Sequence, residues 1–530
     1  MSTFFSTLYL GIFLPVIAVL YWLTPQRHRW KLLLGASYFF FWSVSGKLVL
    51  YLILSTFSIH HFGLWMDSVL NERTHTLAEV EKHERKAVKA RYQRKLRHIA
   101  ALAVCLNLGI LVILKYTPFL GTNLNHLLAA LRLPVRLPIP AFILPIGISF
   151  YTLQAVSYLF DVYRGTLKAD RDLGRLALYM AFFPQIIEGP ICRYSQTAYQ
   201  LWAGRPLTYE ALTMGIQRIL YGLLKKVVIA DRLNLLIKTV FGDYASYNGT
   251  VIALAMVCYT CQLYMEFSGT MDVVAGTAEL FGVSMPENFR QPFFSRSISD
   301  FWSRWHISLG TWFRDYIFYP LTMSKPLKHI TVSARKRLGN HFGPLISGAI
   351  ALFTVWLCNG LWHGAGWQYI FFGLYHFALI LTGNLLEPFV VRAAERLHID
   401  RTCRPYHLIQ ILRTVLLVNI GELFFRAEGL RAGLSMFRTM VTDFSPAVFT
   451  DGTLLTLGLD GNDFLIVLAA VLIVFTISVL NEKGISIRQR AAALPLPARW
   501  ALYYALIFFI IIFGAYGPGY VPIDPVYANF

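Results

Sequence analysis

The sequence predicts an all-α, multi-pass membrane protein. Of its 530 residues, 56% are hydrophobic and only 15% are charged, whereas about 25% charged residues is usual in a soluble globular chain. The mean hydropathy is +0.51. Apolar runs near the roughly 20 residues that cross a bilayer recur along the whole chain. Together these three observations predict roughly 10 to 12 membrane segments, some of them re-entrant or interfacial.

The apolar runs define the predicted elements in chain order. The first is too long for the core of a signal peptide and has neither a basic n-region nor a small-residue cleavage site, so we expect a retained span. Two short runs, 32–45 and 47–67, lie between basic segments and predict a tilted or re-entrant pair. No internal repeat stands out, so we expect a single membrane domain over residues 1–530. The runs cover residues 3–23, 47–67, 99–115, 138–160, 174–191, 212–230, 249–265, 345–361, 367–386, 408–425, 463–480 and 499–515.

The net charge of +19 is concentrated in short segments between apolar runs. Such clusters are typical of cytoplasmic loops beside anionic lipid, and they fix the orientation of a membrane protein. Their placement argues against a nucleic-acid partner. The densest block, 68–98, predicts a basic cytoplasmic loop, in which a solvated helix contacts lipid head groups; a dedicated partner site is the alternative. The other clusters are Arg27–Lys31, Lys225–Arg232 and Lys325–Arg337.

Residues 286–343 alternate between polar, aromatic and basic, so we expect cytoplasmic or interfacial helices there. Within them, residues 297–321 open with serine and aspartate, as helices commonly do. At 100° per residue, tryptophans fall on one face and Arg304 and Asp315 on the other, which predicts one amphipathic helix in the membrane interface. His306 projects on the apolar face, where either a satisfied core histidine or a reactive one fits the pattern.

A second histidine, His363, lies in the stretch NGLWHGAGW. No Asp, Glu, Lys or Arg occurs from residue 338 to residue 386, which is enough chain for two spans. A simple hairpin would place His363 at its far end, whereas a helix broken at the glycines would place it inside. Polar groups at membrane depth commonly mark reactive sites, and the ordinary pKa of histidine, about 6.5, suits proton transfer. His376, in the same pair of helices (345–388), is a third candidate.

Several reaction classes lack their usual motif. The chain has no G-x-S-x-G elbow, no H-E-x-x-H zinc motif, no Walker-type loop and no H-x-x-x-x-D acyltransferase motif. We therefore expect no bound metal. The C-x-x-C at Cys258–Cys261 lies in an apolar run without a second pair, so we interpret it as packing rather than redox chemistry. A histidine-centred general-base site remains, or a transporter with histidines in its path.

Two blocks carry a family resemblance: FWSRWHISLGTWFRDYIFYPL (301–321) and NGLWHGAGWQYIFFGLYH (359–376). They closely resemble the signature blocks of the membrane-bound O-acyltransferases, in the bacterial branch that serves alginate O-acetylation and teichoic-acid D-alanylation. Other stretches are similar to that branch as well. These are LPIGISFYTLQAVSYLFDVYRG (144–165), FFPQIIEGPICRYSQ (182–196), GLLKKVVIADRL (222–233) and MEFSGTMDVVAGTAELFGVSMPENFRQPF (265–293).

The resemblance implies helices around a central tunnel, in the bacterial cytoplasmic membrane. It implies His363 as the general base and His306 as a second catalytic residue nearer the cytoplasmic entrance. It also implies an acyl thioester, either acetyl-CoA or an acyl-carrier phosphopantetheine, as co-substrate with no bound cofactor. Candidate tunnel residues are His376, Trp305, Trp362, Asn359, Asp315, Arg314, Asp272 and Glu266.

The implied acceptor is a hydroxyl of an exported or cell-surface polysaccharide, and the implied partners are membrane lipids, a carrier protein and an extracytoplasmic acyltransferase subunit. Acetyl transfer is favoured over D-alanyl transfer to teichoic acid, since the chain length fits the alginate-like members. The segment around Glu266 departs from the family's F-D-F-S/A-G-Y-S-D pattern, which leaves the acceptor open. A proton-coupled glycan or lipid transporter, or a flippase, is the alternative from another class; it would use intramembrane carboxylates such as Glu188, Glu266 or Asp272.

Overall fold

The computed structural model describes residues 4–516 and Tyr520. Within these residues the chain is helical without a β-strand, which confirms the all-α class; an isolated antiparallel bridge joins Phe289 and Trp305. Short π-helices cover Tyr9–Phe13, Leu224–Ala230 and Arg314–Phe318. The α-helices are α1 (Leu14–Leu23), α2 (Arg29–Ser45), α3 (Val49–Glu79), α4 (Arg85–Ala130), α5 (Ile148–Arg164), α6 (Leu173–Ala181), α7 (Tyr194–Trp202), α8 (Tyr209–Leu223), α9 (Asp231–Gly242), α10 (Gly249–Leu280), α11 (Ile298–Arg304), α12 (Ile307–Phe313), α13 (Tyr319–Thr322), α14 (Lys325–His363), α15 (Trp367–Arg396), α16 (Arg404–Arg426), α17 (Leu430–Thr442), α18 (Gly461–Glu482), α19 (Ile487–Ala492) and α20 (Leu496–Phe513).

Eight helical segments of the described residues are long and apolar enough to cross a membrane. This confirms a multi-pass protein, with fewer such helices than the roughly 10 to 12 expected from run length. The difference has identifiable sources. The run 138–160 becomes helical only at Ile148, and the run 174–191 loses its helix after Ala181. The eight segments are Gln26–Glu79, Arg85–Ala130, Gly249–Leu280, Lys325–His363, Trp367–Arg396, Arg404–Arg426, Gly461–Glu482 and Leu496–Phe513.

The chain divides into two compact units, and the division falls inside α8 and α10. One unit holds Met1–Ile219 and Val273–Pro286, where α3, α4 and α5 pack on one another. The other holds Leu220–Asp272 and Glu287–Val526, where α14 packs against α15 and α15 against α16. All residues predicted for the acyltransferase site lie in this second unit.

The first unit contains a buried segment without regular structure, residues 182–193, directly after α6. Every residue from Phe182 to Cys192 is buried, so its backbone needs partners inside the protein. Gly189 N–H donates to the Gln185 carbonyl (2.8 Å), and the Tyr179 hydroxyl donates to the Cys192 carbonyl (2.9 Å). Glu188 lies in this segment and is fully buried.

The basic block 68–98 is mostly helical: α3 ends at Glu79, α4 begins at Arg85, and only a short turn separates them. Most of its charged side chains are exposed. The block therefore has the form of a solvated helix pair, whereas its contact with lipid and its cytoplasmic side remain predictions.

Residues 297–321 do not form the single amphipathic helix that their periodicity predicts. The start is as expected, because Ser297 Oγ accepts from the Asp300 N–H (3.1 Å). The helix then stops at Arg304, His306 takes a left-handed conformation, and α12 begins at Ile307. The cause is tertiary: Arg290 N–H donates to the Arg304 carbonyl (2.9 Å), which removes an acceptor that a continuous helix would use.

Candidate active site

His306 lies at the junction of α11 and α12, with φ 47° and ψ 51°. A non-glycine residue in this region costs about 1–3 kcal/mol and persists only where its surroundings fix it, often at functional sites. Here Asn288 is the fixing residue. Its Oδ1 accepts from the Ser308 N–H (2.9 Å) and from His306 Nδ1 (3.4 Å), and its carbonyl accepts from the Ile307 N–H (3.0 Å).

The His306 ring is buried among aromatic side chains, as its position on the apolar face predicts. It meets Phe267 edge to face at 4.8 Å and Trp362 at 5.7 Å between ring centroids. Because Nδ1 donates to Asn288, the lone pair of the neutral ring lies on Nε2. Burial lowers the pKa of His306 to about 3, so this imidazole is neutral at physiological pH.

His363 is the last residue of α14, and α15 begins four residues later at Trp367. The glycines therefore do not break a helix; they form the turn and the contact surface of a simple hairpin. A Cβ at Gly360 would lie 2.4 Å from the Tyr369 carbonyl oxygen, and one at Gly373 would lie 2.3 Å from that of Trp356. Only glycine permits this backbone-to-backbone approach.

Trp362 brings the two predicted catalytic histidines into one site. Its ring lies 5.0 Å from the His363 ring and 5.7 Å from the His306 ring. Both histidines and Trp362 are buried. On its other sides the His363 ring packs against Phe425 (5.2 Å) and Phe372 (6.0 Å).

His376 is fully buried one layer away from this pair. Its Nδ1 accepts from Trp302 Nε1 (3.2 Å), and its ring packs against Phe372, which also contacts His363. Gly421 of α16 makes room for it, since a Cβ there would lie 2.8 Å from His376 Nε2. His376 thus joins α15 to α11 and α16.

The two carboxylates predicted as tunnel residues are paired with lysines. Glu266 Oε2 lies 2.8 Å from Lys226 Nζ, which also contacts Asp231 (2.7 Å), and Asp272 Oδ2 lies 2.7 Å from Lys225 Nζ. Burial alone would lower the pKa of Lys226, but the two carboxylates beside it raise that pKa above its ordinary value. Both lysines belong to the π-helix after α8.

The remaining candidates are spread around the site. Trp305 is buried against Phe289 at 5.1 Å. Arg314 and Asp315 form an ion pair with each other (3.1 Å) and are more exposed than the histidines. Asn359 is buried on α14, one turn before His363. The roles of all these residues remain predictions.

Sequence reasoning missed three residues that the structure singles out. Asn288, which holds His306, lies 18 positions before it and has no periodic signal. Phe267 contacts the His306 ring from α10. Glu422 on α16 is buried, and its Oε2 has no hydrogen-bond partner among the described residues. A signal for Glu422 existed, because it is the only acidic residue in the run 408–425.

The fold and the site define a class of protein: a multi-pass helical membrane protein with two buried histidines that pack against aromatic side chains. Such a site suits proton transfer in a place from which water is excluded. The profile of the membrane-bound O-acyltransferase (MBOAT) family matches residues 170–334. The chain is 34% identical over 439 residues to the probable alginate O-acetylase AlgI of Pseudomonas aeruginosa, covering 82% of this chain and 74% of that protein.

Other relatives carry different acceptors in their names. The peptidoglycan O-acetyltransferase of Helicobacter pylori is 29% identical over 64% of both chains. The teichoic acid D-alanyltransferase of Bacillus subtilis is 33% identical over 46% of this chain and 59% of its own. The chain therefore belongs to the MBOAT family, and it is a membrane-bound acyltransferase.

Proposed function

We propose that this enzyme is an O-acetyltransferase of an exported or cell-surface polysaccharide, with His363 as the general base. The observation that carries the proposal is that the Trp362 ring contacts the rings of both His306 and His363, and that all three side chains are buried.

In the proposed reaction the acceptor hydroxyl oxygen attacks the carbonyl carbon of an acyl thioester. The His363 imidazole takes the hydroxyl proton as the new C–O bond forms, and the C–S bond then breaks. The proton passes from His363 to the departing sulfur, so the products are an ester and a thiol and no net proton is consumed. General-base assistance of this kind contributes about 10²–10⁴-fold.

His306 enters the proposal as a neutral imidazole rather than a cation. Its Nδ1 is held by Asn288, and its left-handed backbone fixes the direction of the ring. We assign it a positioning and polarising role beside the thioester, because burial disfavours the charged form.

The acyl group and the acceptor are inferred from the relatives. Acetyl transfer is favoured because the alginate-type relatives align over 82% of this chain, whereas the D-alanyl relative aligns over 46%. D-alanyl transfer to teichoic acid is the second candidate, carried by the 33% identity within that shared part. The donor is then acetyl-CoA or an acyl-carrier phosphopantetheine on the cytoplasmic side of the bacterial plasma membrane, and a carrier protein or an extracytoplasmic subunit would be the partner.

The test is His363→Ala in cells, with ester-linked acyl groups on surface polysaccharide quantified and identified by mass. We expect loss of acylation with polymer export intact. His329→Ala is the control, since His329 is an exposed histidine on the helical segment that precedes the kink of α14 at Gly339. Acylation at the wild-type level in a correctly inserted His363→Ala protein would refute the general-base role, and loss of export would favour the transporter instead.

A further inference from the structure

Asn359 carries a polar group that the fold leaves unsatisfied beside the histidine pair. The residue is buried, and its Oδ1 has no hydrogen-bond partner among the described residues. An amide oxygen in this state gives up its hydration without replacement, and such groups are rare in native proteins. Asparagine is also a poorer helix former than alanine, so helix propensity does not account for it.

The helix places Asn359 on the same face of α14 as His363. Asn359 and His363 are four residues apart, so their side chains leave the same face of the helix, with Cβ atoms about 5–6 Å apart. Trp362, three residues after Asn359, lies on the adjoining part of that face and contacts the rings of both His306 and His363. Gly360, the residue after Asn359, packs against Tyr369 of α15 and holds this end of α14 in place.

The chemistry of the group limits its ligand. An amide oxygen only accepts hydrogen bonds, so the group that binds to it must be a donor such as a hydroxyl. It cannot be the hydroxyl that attacks, since that one donates its proton to His363 in the proposed mechanism. A second hydroxyl on the carbon next to the attacking one lies about a hydrogen-bond length from it, and the Cβ atoms of His363 and Asn359 are only about 5–6 Å apart, so one sugar is large enough to reach both side chains.

We propose that Asn359 is a specificity-determining residue that binds a second hydroxyl of the acceptor, so that the enzyme acylates vicinal diols of a sugar. This inference rests on His363 being the base of the reaction. The ester forms at the hydroxyl held by His363, and Asn359 Oδ1 holds its neighbour. A site that hydrogen-bonds a substrate hydroxyl rejects acceptors that lack it, because its own polar group is then left unpaired.

The experiment uses isolated membranes that contain the enzyme and its own polymer, supplied with acetyl-CoA radiolabelled in the acetyl group. Label in the polymer reports transfer, and free acetate reports hydrolysis. For Asn359→Leu we expect transfer to fall about 10- to 100-fold while hydrolysis is unchanged. Asn359→Asp, which retains an acceptor oxygen at the same place, should recover at least part of the transfer. Asn340→Ala, at an exposed position of α14, is the control.

Two results would overturn the proposal. The first is wild-type transfer by Asn359→Leu. The second is a parallel loss of transfer and hydrolysis by Asn359→Leu in a protein that still elutes as a folded monodisperse species, because Asn359 would then act on the thioester or through the fold. His363→Ala is run beside these variants: if it retained transfer, the proposed base would be wrong, whatever the ratio of transfer to hydrolysis in the Asn359 variants.

Discussion

The contact between α14 and α15 gives a sharp test of how the site is held. Gly360 lies one turn before His363, and a Cβ added to it would be 2.4 Å from the Tyr369 carbonyl oxygen, whereas ordinary contacts begin at 3.4 Å. Gly360→Ala must therefore separate the two helices by about 1 Å at this level, since backbone atoms cannot rotate away as a flexible side chain can. His363, at the end of α14, moves with that separation.

The expected effect on activity exceeds the effect on stability. Overpacking of this kind costs about 1–3 kcal/mol, and replacing glycine by alanine inside a helix returns about 1 kcal/mol, so the net destabilisation is about 0–2 kcal/mol. A misplacement of about 1 Å in a catalytic group costs about 100-fold in rate. We expect Gly360→Ala to be inserted and folded, with acylation reduced about 100-fold.

Gly348→Ala is the matched control. Gly348 lies in the same helix, and a Cβ there would meet nothing within 4 Å. It should leave acylation unchanged and raise the melting temperature slightly, because only the helix-propensity term applies. Acyl content of the polymer and melting in detergent are the measurements. Wild-type acylation by Gly360→Ala would refute the argument that close helix approach positions His363.

Three further predictions follow from the surroundings of the site. Asn288→Ala removes the acceptor of the Ser308 N–H and of His306 Nδ1. It should lower the free energy of unfolding by about 1–3 kcal/mol and reduce acylation. Asn288→Asp, which keeps Oδ1, should lose less stability and less acylation. Burial lowers the pKa of His306 from 6.5 to about 3. The neutral ring therefore stabilises the folded state above pH 6.5, and this stability is lost as the pH falls toward 3. The melting temperature of the wild type should fall more steeply over that interval than that of His306→Gln, and parallel curves would contradict this. Glu422 is buried in α16, and its Oε2 has no hydrogen-bond partner among the described residues. A charged carboxylate without a partner is costly there, so Glu422→Gln should keep acylation within about twofold and leave the melting temperature unchanged. A large loss of either would mean that a charged carboxylate is needed.

Composition and the length of the apolar runs were enough to predict the fold class, because the physical rule that connects them to the fold is simple. A chain with this fraction of apolar residues must place most of its backbone in lipid-spanning helices. The rule says less about segments that are apolar yet enclosed by protein. Residues 182–193 have the composition of a span but are irregular, and internal hydrogen bonds from Gly189 and Tyr179 make that possible.

The site divides in the same way. His306 and His363 could be proposed from the sequence, because a titratable ring on an apolar helix face, or in a charge-free stretch such as 338–386, is costly and therefore informative. The break at His306 could not, because it depends on Asn288 and Arg290, whose hydrogen bonds to the α11–α12 junction arise only in the folded chain. A periodicity of 3.6 residues describes local structure and carries no information about a competing backbone partner such as Arg290, 14 residues before Arg304.

In the stretch NGLWHGAGW the glycines have a different structural role from the one that the sequence suggested. Its glycines suggested a broken helix, whereas Gly360 allows a close approach and residues 364–366 turn the chain. Both the close approach and the turn hold His363 at a fixed position, because two helices whose backbones touch have little freedom to slide along each other. The same rigidity fixes Asn359 and Trp362 relative to His363, so the end of this helix would hold the proposed base and the proposed hydroxyl-binding residue in a constant arrangement. Acceptor choice in this enzyme would then depend on α14 itself, and substitutions at Asn359 should change which hydroxyls are acylated before they change whether the thioester reacts.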